Sequence, residues 1–319
     1  MRIGIFGSDG DLQCHAVAAE LGKLGVDNVL LRADAFEAGL PVSFEDERTL
    51  YRNEPVDDLR GFYLRFIPAP YAPYIEKDGE LHLYKDWFAR YMHSRERASF
   101  FVSWLLRLQH EGAVMVNPPH AGSVLGYKPF QLDVLRSVGA QVPRTLITND
   151  PQHVRAFLQE QGEVIFKPVM GGALTRKLDA EALEGLDAIT QSPVIFQSLA
   201  PGDDLRVMLV GDEIVSSVAI VTPEQHLDFR ADDVYQSGGA EYREVELPEA
   251  VKAQCRKAAR ALGLSFAGID IKHKGDDWVF LELNSSPIYL DVERKLGHPI
   301  SAAIARYLVD RVSALPPLV

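Results

Sequence analysis

The segment FAGIDIKHKGDDWVFLELNSSP, residues 266–287, decides how the second half of the chain folds. Two apolar runs flank a Lys-Gly-Asp sequence, which predicts two strands joined by a tight turn. Successive side chains of a strand point to opposite faces, so Glu282 and Asn284 share one face. A hairpin that turns near Gly275 brings Asp270 opposite them. The segment therefore predicts three oxygen-bearing side chains on one face of an antiparallel hairpin.

Oxygen ligands without His or Cys are typical of sites for hard divalent cations. A site that has few protein ligands and is completed by phosphate oxygens and water suits Mg²⁺. We therefore expect Asp270, Glu282 and Asn284 to bind Mg²⁺. The alternative is that they are ordinary polar residues on a solvated sheet face.

Two lysines supply the complementary charge. Lys167 lies within the apolar run VIFKP, where a lysine is costly unless its ammonium meets an anion. Gly171 and Gly172 follow it, and the backbone N–H groups of such a loop can close over phosphates. Lys128 opens a predicted helix in GYKPFQL and on its own would be a surface lysine. No P-loop sequence GxxxxGK[ST] occurs in the chain, so a Walker site is excluded.

Two further charged segments stand out. Arg206 follows Asp203 and Asp204 at the start of a predicted hairpin, LRVMLVGDEIVSSVAIV, that turns at 211–212. Arg230 lies in HLDFRADD, residues 226–233, which has no secondary-structure period. A charge run of this kind is also typical of a solvated loop.

The first part of the chain has the periodicity of an α/β layer. The runs IGIFG (3–7), NVLL (28–31) and GFYLRF (61–66) predict strands, and a helix between the first two indicates a parallel sheet. The glycines at 4, 7 and 10 read GxxGxxG instead of GxGxxG, so we expect a tight βα turn and no nicotinamide site. An aromatic stripe in the predicted helix 84–110 is expected to be core; its members are Trp87, Tyr91, Phe101, Trp104, Leu105 and Leu108.

Composition limits the partners. The 319 residues include 45 Asp and Glu against 33 Lys and Arg, a net charge of −12, which disfavours binding along a nucleic acid. Cys14 and Cys255 show no metal-ligand spacing, so we expect reduced thiols. With no signal peptide and no apolar run long enough to span a membrane, a cytoplasmic protein is predicted.

We expect three lobes: 1–118, α/β; 119–196, α+β; and 197–319, α+β with the metal site.

In combination and in this order, these segments resemble the ATP-grasp superfamily and specifically its RimK-type carboxylate–amine ligases, from about Asn117 to about Leu308. The resemblance implies a nucleotide held between the two α+β lobes, with Mg²⁺, one or two ions, or Mn²⁺. It implies that Asp270, Glu282 and Asn284 bind the metal, that Arg206 and Arg230 act at the phosphates or in the transition state, and that ATP contacts the following residues: Lys128, Lys167, Gly171, Gly172, backbone groups of Ser198 and Leu199, Asp204 and Arg230. Three departures are the short glycine loop, Ser198 in place of the usual hinge glutamate, and Asp232 where RimK-type enzymes have Asn.

The resemblance also implies a reaction: ATP converts a substrate carboxylate to an acyl phosphate, and an amine displaces phosphate to form an amide. RimK-like ligation of an amino acid or peptide is the first expectation. The alternative is a graspetide ligase, which macrocyclises a ribosomal peptide, because residues 128–151, KPFQLDVLRSVGAQVPRTLITNDP, and the aromatic, charged lobe before them also resemble that group. The ending ELNSSPIYLDVERKLGHPI, residues 282–300, resembles RimK-type enzymes more. The implied partners are carboxylate and amine substrates, a peptide or protein among them, and a second copy of the chain. A catalytically silent ATP-binding sensor of the same fold is the remaining alternative.

Overall fold

The structure is a computed structural model that describes residues 1–46, 48–77, 80–170, 173–221, 227 and 238–316. The chain divides into two compact units. Met1–Gly122 and Ser301–Val319 form the first, and Ser123–Ile300 form the second. The predicted first boundary lies close to this division, but residues 301–319 group with the first unit instead of the last lobe. The three-lobe division stays a prediction.

The first unit is built on a parallel four-stranded sheet with the strand order β2-β1-β6-β9. Two small antiparallel sheets, β3-β4-β5 and β7-β8, accompany it. The strands are β1 (Arg2–Gly7), β2 (Asp27–Arg32), β3 (Val42–Glu45), β4 (Arg48–Tyr51), β5 (Glu54–Pro55), β6 (Gly61–Leu64), β7 (Tyr74–Lys77), β8 (Glu80–Leu83) and β9 (Val114–Val116). The helices are α1 (Leu12–Lys23), α2 (Trp87–His110) and α3 (Pro119–Gly122). The predicted α/β layer is confirmed.

The aromatic stripe of α2 is core only in its second half. Phe101, Trp104 and Leu105 are buried and pack in one cluster with Phe62 of β6. Trp87, at the start of the helix, is exposed, so its prediction as a core residue was wrong. The helix has 24 residues, and its buried residues begin only at Ser94, so its first turns lie outside the core.

The last helix returns the chain to the first unit. This helix, α9 (Ile300–Ser313), brings Val312 against Gly61 of β6, where an added Cβ would lie 2.6 Å from the Val312 methyl group. Glycine at position 61 therefore allows the close approach of the helix to the strand.

The second unit contains two antiparallel sheets, with the strand orders β10-β13-β11-β12 and β16-β15-β14-β17-β18. Its strands are β10 (Thr145–Thr148), β11 (Val164–Pro168), β12 (Arg176–Lys177), β13 (Val194–Ser198), β14 (Asp203–Val210), β15 (Glu213–Val221), β16 (Glu241–Glu244), β17 (Phe266–Lys274) and β18 (Asp277–Asn284). Its helices are α4 (Lys128–Ser137), α5 (Pro151–Gln161), α6 (Ala180–Glu184), α7 (Glu249–Ala261) and α8 (Leu290–Leu296). Both predicted hairpins, β14-β15 and β17-β18, are confirmed.

The faces of these sheets separate core from site. On β17, Ile269 and Ile271 are buried in the core, while Asp270 between them faces the other way. On β13, Phe196 packs with the α5 side of its sheet, so Gln197 lies on the opposite face. Among the described residues, no helix is long and apolar enough to cross a membrane.

Both cysteines are free and buried, and burial raises the pKa of Cys14 to about 11 and that of Cys255 to about 12. Because the thiolate is the nucleophile, we expect neither to react with a water-soluble disulfide reagent in the native protein. Both should react in denaturant, and Cys14→Ala and Cys255→Ala variants assign the two signals. Reaction of either thiol in the native protein would contradict the buried placement.

Candidate functional site

A cavity of about 280 Å³ in the second unit collects most of the residues predicted for a nucleotide and a metal. Its wall is formed by β11, β13, β14, β17, β18 and the first residue of α4. The predicted residues that line it are Lys128, Lys167, Ser198, Leu199, Asp204, Arg206, Asp270, Glu282 and Asn284. Gly171, Gly172, Arg230 and Asp232 lie outside the described residues. The roles predicted for all of these residues stay predictions.

The hairpin β17-β18 places the three oxygen-bearing side chains together. Asp270 is paired with Glu282, and Gly268 with Asn284. The Asn284 amide donates a hydrogen bond to Asp270 Oδ2 at 3.1 Å. An added Cβ at Gly268 would lie 2.6 Å from Pro287, so glycine there lets the chain after β18 fold back over the hairpin.

A β-bulge interrupts this ladder beside the site. The register shifts after Asp270, because Ile271 pairs with Phe280 and Leu281 is left as an extra residue. A bulge redirects the side chains next to it, and here Leu281 lines the cavity. Strict alternation of faces in the sequence did not predict this apolar wall.

Helix α4 is held on the hairpin by a buried amide. Gln131 is 1% exposed, accepts a hydrogen bond from Leu283 N at 2.9 Å and donates one to Val124 O at 2.8 Å. Since Leu283 lies between Glu282 and Asn284 on β18, this amide sets the position of the helix that begins at Lys128. The position of Lys128 therefore depends on a contact between Gln131 and Leu283, two residues that are 152 positions apart in the sequence.

Two ion pairs occupy the centre of the site. Lys128 Nζ bonds Glu282 Oε2, and Arg206 Nε lies 2.5 Å from Asp270 Oδ1, with Nη2 3.3 Å from Oδ2. All four side chains are between 12% and 17% exposed. Both cations predicted to contact phosphate are thus paired with carboxylates predicted to bind metal.

Burial is the main influence on Asp270. It raises the pKa of this carboxyl to about 6; Arg206 opposes the rise, while Glu282 and Asp204 add to it. Burial disfavours the charged carboxylate, and the neighbouring carboxylates add to the raised pKa because like charges disfavour ionisation of one another. A cation that reached these carboxylates would favour their charged form.

The opposite wall belongs to β11 and β13. Lys167 pairs in register with Ile195, and Ile165 with Gln197, so the lysine and the glutamine share the cavity face. The Ser198 N–H donates to Arg144 O at 2.9 Å and the Leu199 N–H donates to Glu163 O at 3.0 Å. These two N–H groups are therefore already used within the sheet.

The cavity residues that were not predicted from the sequence include Gln197, Lys272 and Leu281. Gln197 and Lys272 carried a usable signal, because a polar residue in an apolar strand needs a partner. This is the same observation that singled out Lys167. Leu281 carried none, since a leucine in a strand is ordinary core.

The donor set fits Mg²⁺ and a triphosphate. Within the described ranges no group of three or more His, Cys, Asp or Glu is arranged as a metal site. Two carboxylates and one amide are too few ligands for a closed protein cage, but they suit a cation that takes its remaining ligands from phosphate and water. The cations of the same cavity provide for phosphate charge.

The fold and the site define an ATP-grasp protein. The structure is similar to that of the ATP-grasp ligase PsnB in complex with a phosphomimetic variant of its minimal precursor, Mg and ADP, with a TM-score of 0.82 and 33% identity over 97% of this chain and 98% of that chain. The macrocyclase MdnC from Microcystis aeruginosa MRC, bound with precursor peptide MdnA, has the same fold, with a TM-score of 0.79 and 21% identity over 97% and 99% of the two chains.

Residues 128–308 match the RimK-like ATP-grasp domain, and the chain belongs to this family. A probable alpha-L-glutamate ligase of Histophilus somni (strain 2336) is 28% identical over 184 residues, 54% of this chain and 60% of the relative. One from Xanthomonas euvesicatoria pv. vesicatoria is 32% identical over 222 residues, 65% and 72% of the two proteins. The chain spans about 60% of the length of the first of these relatives.

The Arg206–Asp270 pair should stabilise the fold measurably. Arg206→Met leaves a largely buried carboxylate without its cation, and we expect it to lower the free energy of unfolding by about 3 kcal/mol. Adding Asp270→Asn should recover part of that loss, giving a non-additive double-mutant cycle in denaturant unfolding.

Arg243→Met is the matched control. Arg243 pairs with Asp203 at 2.7 Å, but both side chains are more than half exposed, so its loss should cost less than about 1 kcal/mol. Equal costs for the two arginine variants would show that burial of the Asp270 pair does not stabilise this face.

Proposed function

We propose that this protein is an ATP-dependent ligase that joins a carboxylate to an amine and releases ADP and phosphate. The main support for this proposal is that one cavity contains both the predicted metal ligands and the predicted phosphate cations. The ligands are Asp270, Glu282 and Asn284, and the cations are Lys128, Lys167 and Arg206. Membership of the RimK-like family and similarity to ligase structures support the reaction class.

The proposed roles follow the positions of the side chains. Asp270, Glu282 and Asn284 bind Mg²⁺, for which Mn²⁺ can substitute, as one or two ions. Lys128, Lys167 and Arg206 bind the phosphates. Gly171 and Gly172 cover them, and Arg230 contacts the transferring group; these three residues lie outside the described part of the chain. The segment at Ser198 and Leu199 faces the base, and Asp204 faces the sugar.

ATP supplies a phosphoryl group that activates the substrate carboxylate as an acyl phosphate, and Mg²⁺ neutralises charge on that group. The protein's contribution is alignment and charge compensation. Arg206, held rigidly by β14 and β17, offers guanidinium donors at a fixed position. Preorganised charge of this kind stabilises a transition state without reorganisation cost.

The ion pairs imply that metal and nucleotide enter together. Lys128 forms an ion pair with Glu282, and Arg206 forms one with Asp270. Lys128 and Arg206 would turn toward a bound triphosphate and leave Glu282 and Asp270 open to a divalent ion, so each ligand would remove the obstacle to the other. Free metal alone has to displace two cations without compensation.

A peptide is the proposed carboxylate substrate. The resemblance to PsnB extends over 97% of the chain and so includes the first unit, whereas the Histophilus glutamate ligase match covers only 54%. That structure holds PsnB with a minimal precursor. Macrocyclisation of a precursor peptide through an Asp or Glu side chain is therefore the first candidate, and addition of glutamate to a peptide or protein terminus is the second.

Action in the cytoplasm and association as a homo-oligomer are also proposed.

Mass spectrometry separates the two candidates. The full chain is incubated with ATP, Mg²⁺ and either a precursor peptide from a neighbouring gene, or L-glutamate with a peptide ending in glutamate. Cyclisation removes one water per bond formed, and amino-acid addition increases the peptide mass by one residue. ATP binding with no ADP release in either mixture would favour the sensor alternative.

Glu282→Gln keeps the size of the side chain and removes its charge. We expect at least about a hundredfold loss of ADP release with the productive substrate, because a metal ligand and its charge are lost at the transferring group. Glu163→Gln, at an exposed glutamate paired with Lys177, is the control and should leave the rate unchanged. Normal turnover by Glu282→Gln would rule out this metal site.

Lys128→Met should act in opposite directions on the two ligands. Without the lysine, Glu282 is open to a cation, so Mn²⁺ binding in the absence of nucleotide should become about tenfold tighter, while ATP binding weakens about tenfold. Electron paramagnetic resonance measures the first and calorimetry the second. Lys177→Met, at an exposed pair, should change neither. Weaker Mn²⁺ binding by Lys128→Met would contradict the exchange.

A further inference from the structure

Lys272 is a cavity residue with no role in the scheme above. It lies directly opposite Asp204 in the β14-β17 ladder, and its ammonium is 2.8 Å from Asp204 Oδ2. The two side chains are only 13% and 19% exposed, and both line the cavity. A lysine so far removed from water is costly without a partner, so this pair is a built feature of the wall.

The pair belongs to an alternating set of charges. Two residues further along the same ladder, Arg206 lies opposite Asp270. Opposite charges thus meet both across the two strands and along each of them, since residues two apart share a face. This arrangement gives each of the four side chains an oppositely charged neighbour on either side.

The two ends of this set face different parts of the cavity. Asp270 lies beside Glu282 and Asn284. Asp204 and Lys272 instead lie beside the turn that follows Leu199, because Lys272 Nζ is 3.4 Å from Gly202 O. Gly202 has φ +115°, and a Cβ there would collide with the His273 carbonyl, so this turn is packed against β17.

The position of the Asp204–Lys272 pair selects the kind of ligand group it meets. The predicted metal residues and two of the predicted phosphate cations, Lys128 and Arg206, lie at the Asp270 end, so we infer that the pair faces the nucleoside end of a bound nucleotide. A carboxylate accepts hydrogen bonds, and the donors that a nucleoside offers next to its phosphates are the sugar hydroxyls. An ammonium on one carboxylate oxygen restricts the rotation of the group and fixes where the carboxylate accepts.

We propose that Lys272 positions the Asp204 carboxylate, the group to which the proposed function assigns the contact with the sugar of the nucleotide. This inference rests on the proposed nucleotide-binding function. It assigns Lys272 a role in sugar selectivity that is separate from the phosphate-binding cations.

The test compares ATP with 2′,3′-dideoxy-ATP, each with Mg²⁺, by calorimetry on the full chain. Lys272→Met should weaken ATP binding about tenfold, the effect of one charge-assisted hydrogen bond. It should change dideoxy-ATP binding less than about twofold, because that ligand offers no sugar hydroxyls. Lys272→Arg should recover most of the ATP affinity, and Lys274→Met, at an exposed lysine of the same strand, should have no effect.

A double-mutant cycle shows whether Lys272 acts through Asp204. Asp204→Asn should lose the preference for ATP over dideoxy-ATP, and Lys272→Met added to it should cost nothing more. If Lys272→Met does not fold, as judged by circular dichroism, Lys272→Gln, which keeps a polar side chain and removes the charge, replaces it in both comparisons. Equal losses for both nucleotides, no loss, or additive effects would overturn the proposal. Failure of the wild-type chain to bind either nucleotide would instead count against the proposed function.

Discussion

Pairing of charge inside a partly desolvated cavity is the constraint on which the second unit depends. Arg206 and Asp270 face each other on neighbouring strands, and Lys128 reaches Glu282 from the start of a helix. Removing any one of these groups from water is expensive, and only an opposite charge in good geometry offsets the cost. The charges of Arg206, Asp270, Asp204 and Lys272 are tolerated on one face of the five-stranded sheet because each has an oppositely charged partner.

The same constraint connects the fold to the proposed activity. The charges of this site offset one another in the absence of ligand, and under the proposed function a metal and a triphosphate would take over these pairings. Rigid strands hold the carboxylates, while the lysine arrives on a helix held by the Gln131 amide. Little of the free energy of ligand binding would then be lost in ordering the backbone, because the side chains only exchange their partners. This is the advantage of a preorganised site.

How far the site could be predicted varied from residue to residue. The pairing of Asp270 with Glu282 followed from the alternation of a strand and one turn, both local properties. The bulge at Leu281 changed which residue lines the wall, and no periodic rule contains it. Lys272 was not among the predicted site residues, although the cost of a lysine in an apolar strand applies to it as it does to Lys167, and its partner Asp204 lies on a different strand. Trp87 was placed in the core by helical spacing, but spacing does not tell where the sheet beneath a helix ends.

By itself the sequence determined the α/β first part, the two hairpins and the shared face of Asp270, Glu282 and Asn284, because strand alternation and turn residues act over a few residues. Only the tertiary structure decided that Lys128 meets Glu282, that Lys272 meets Asp204, and that the last helix returns to the first unit. These outcomes join residues far apart in the chain. They depend on how sheets and helices pack to bury apolar surface, and local sequence carries no measure of that packing.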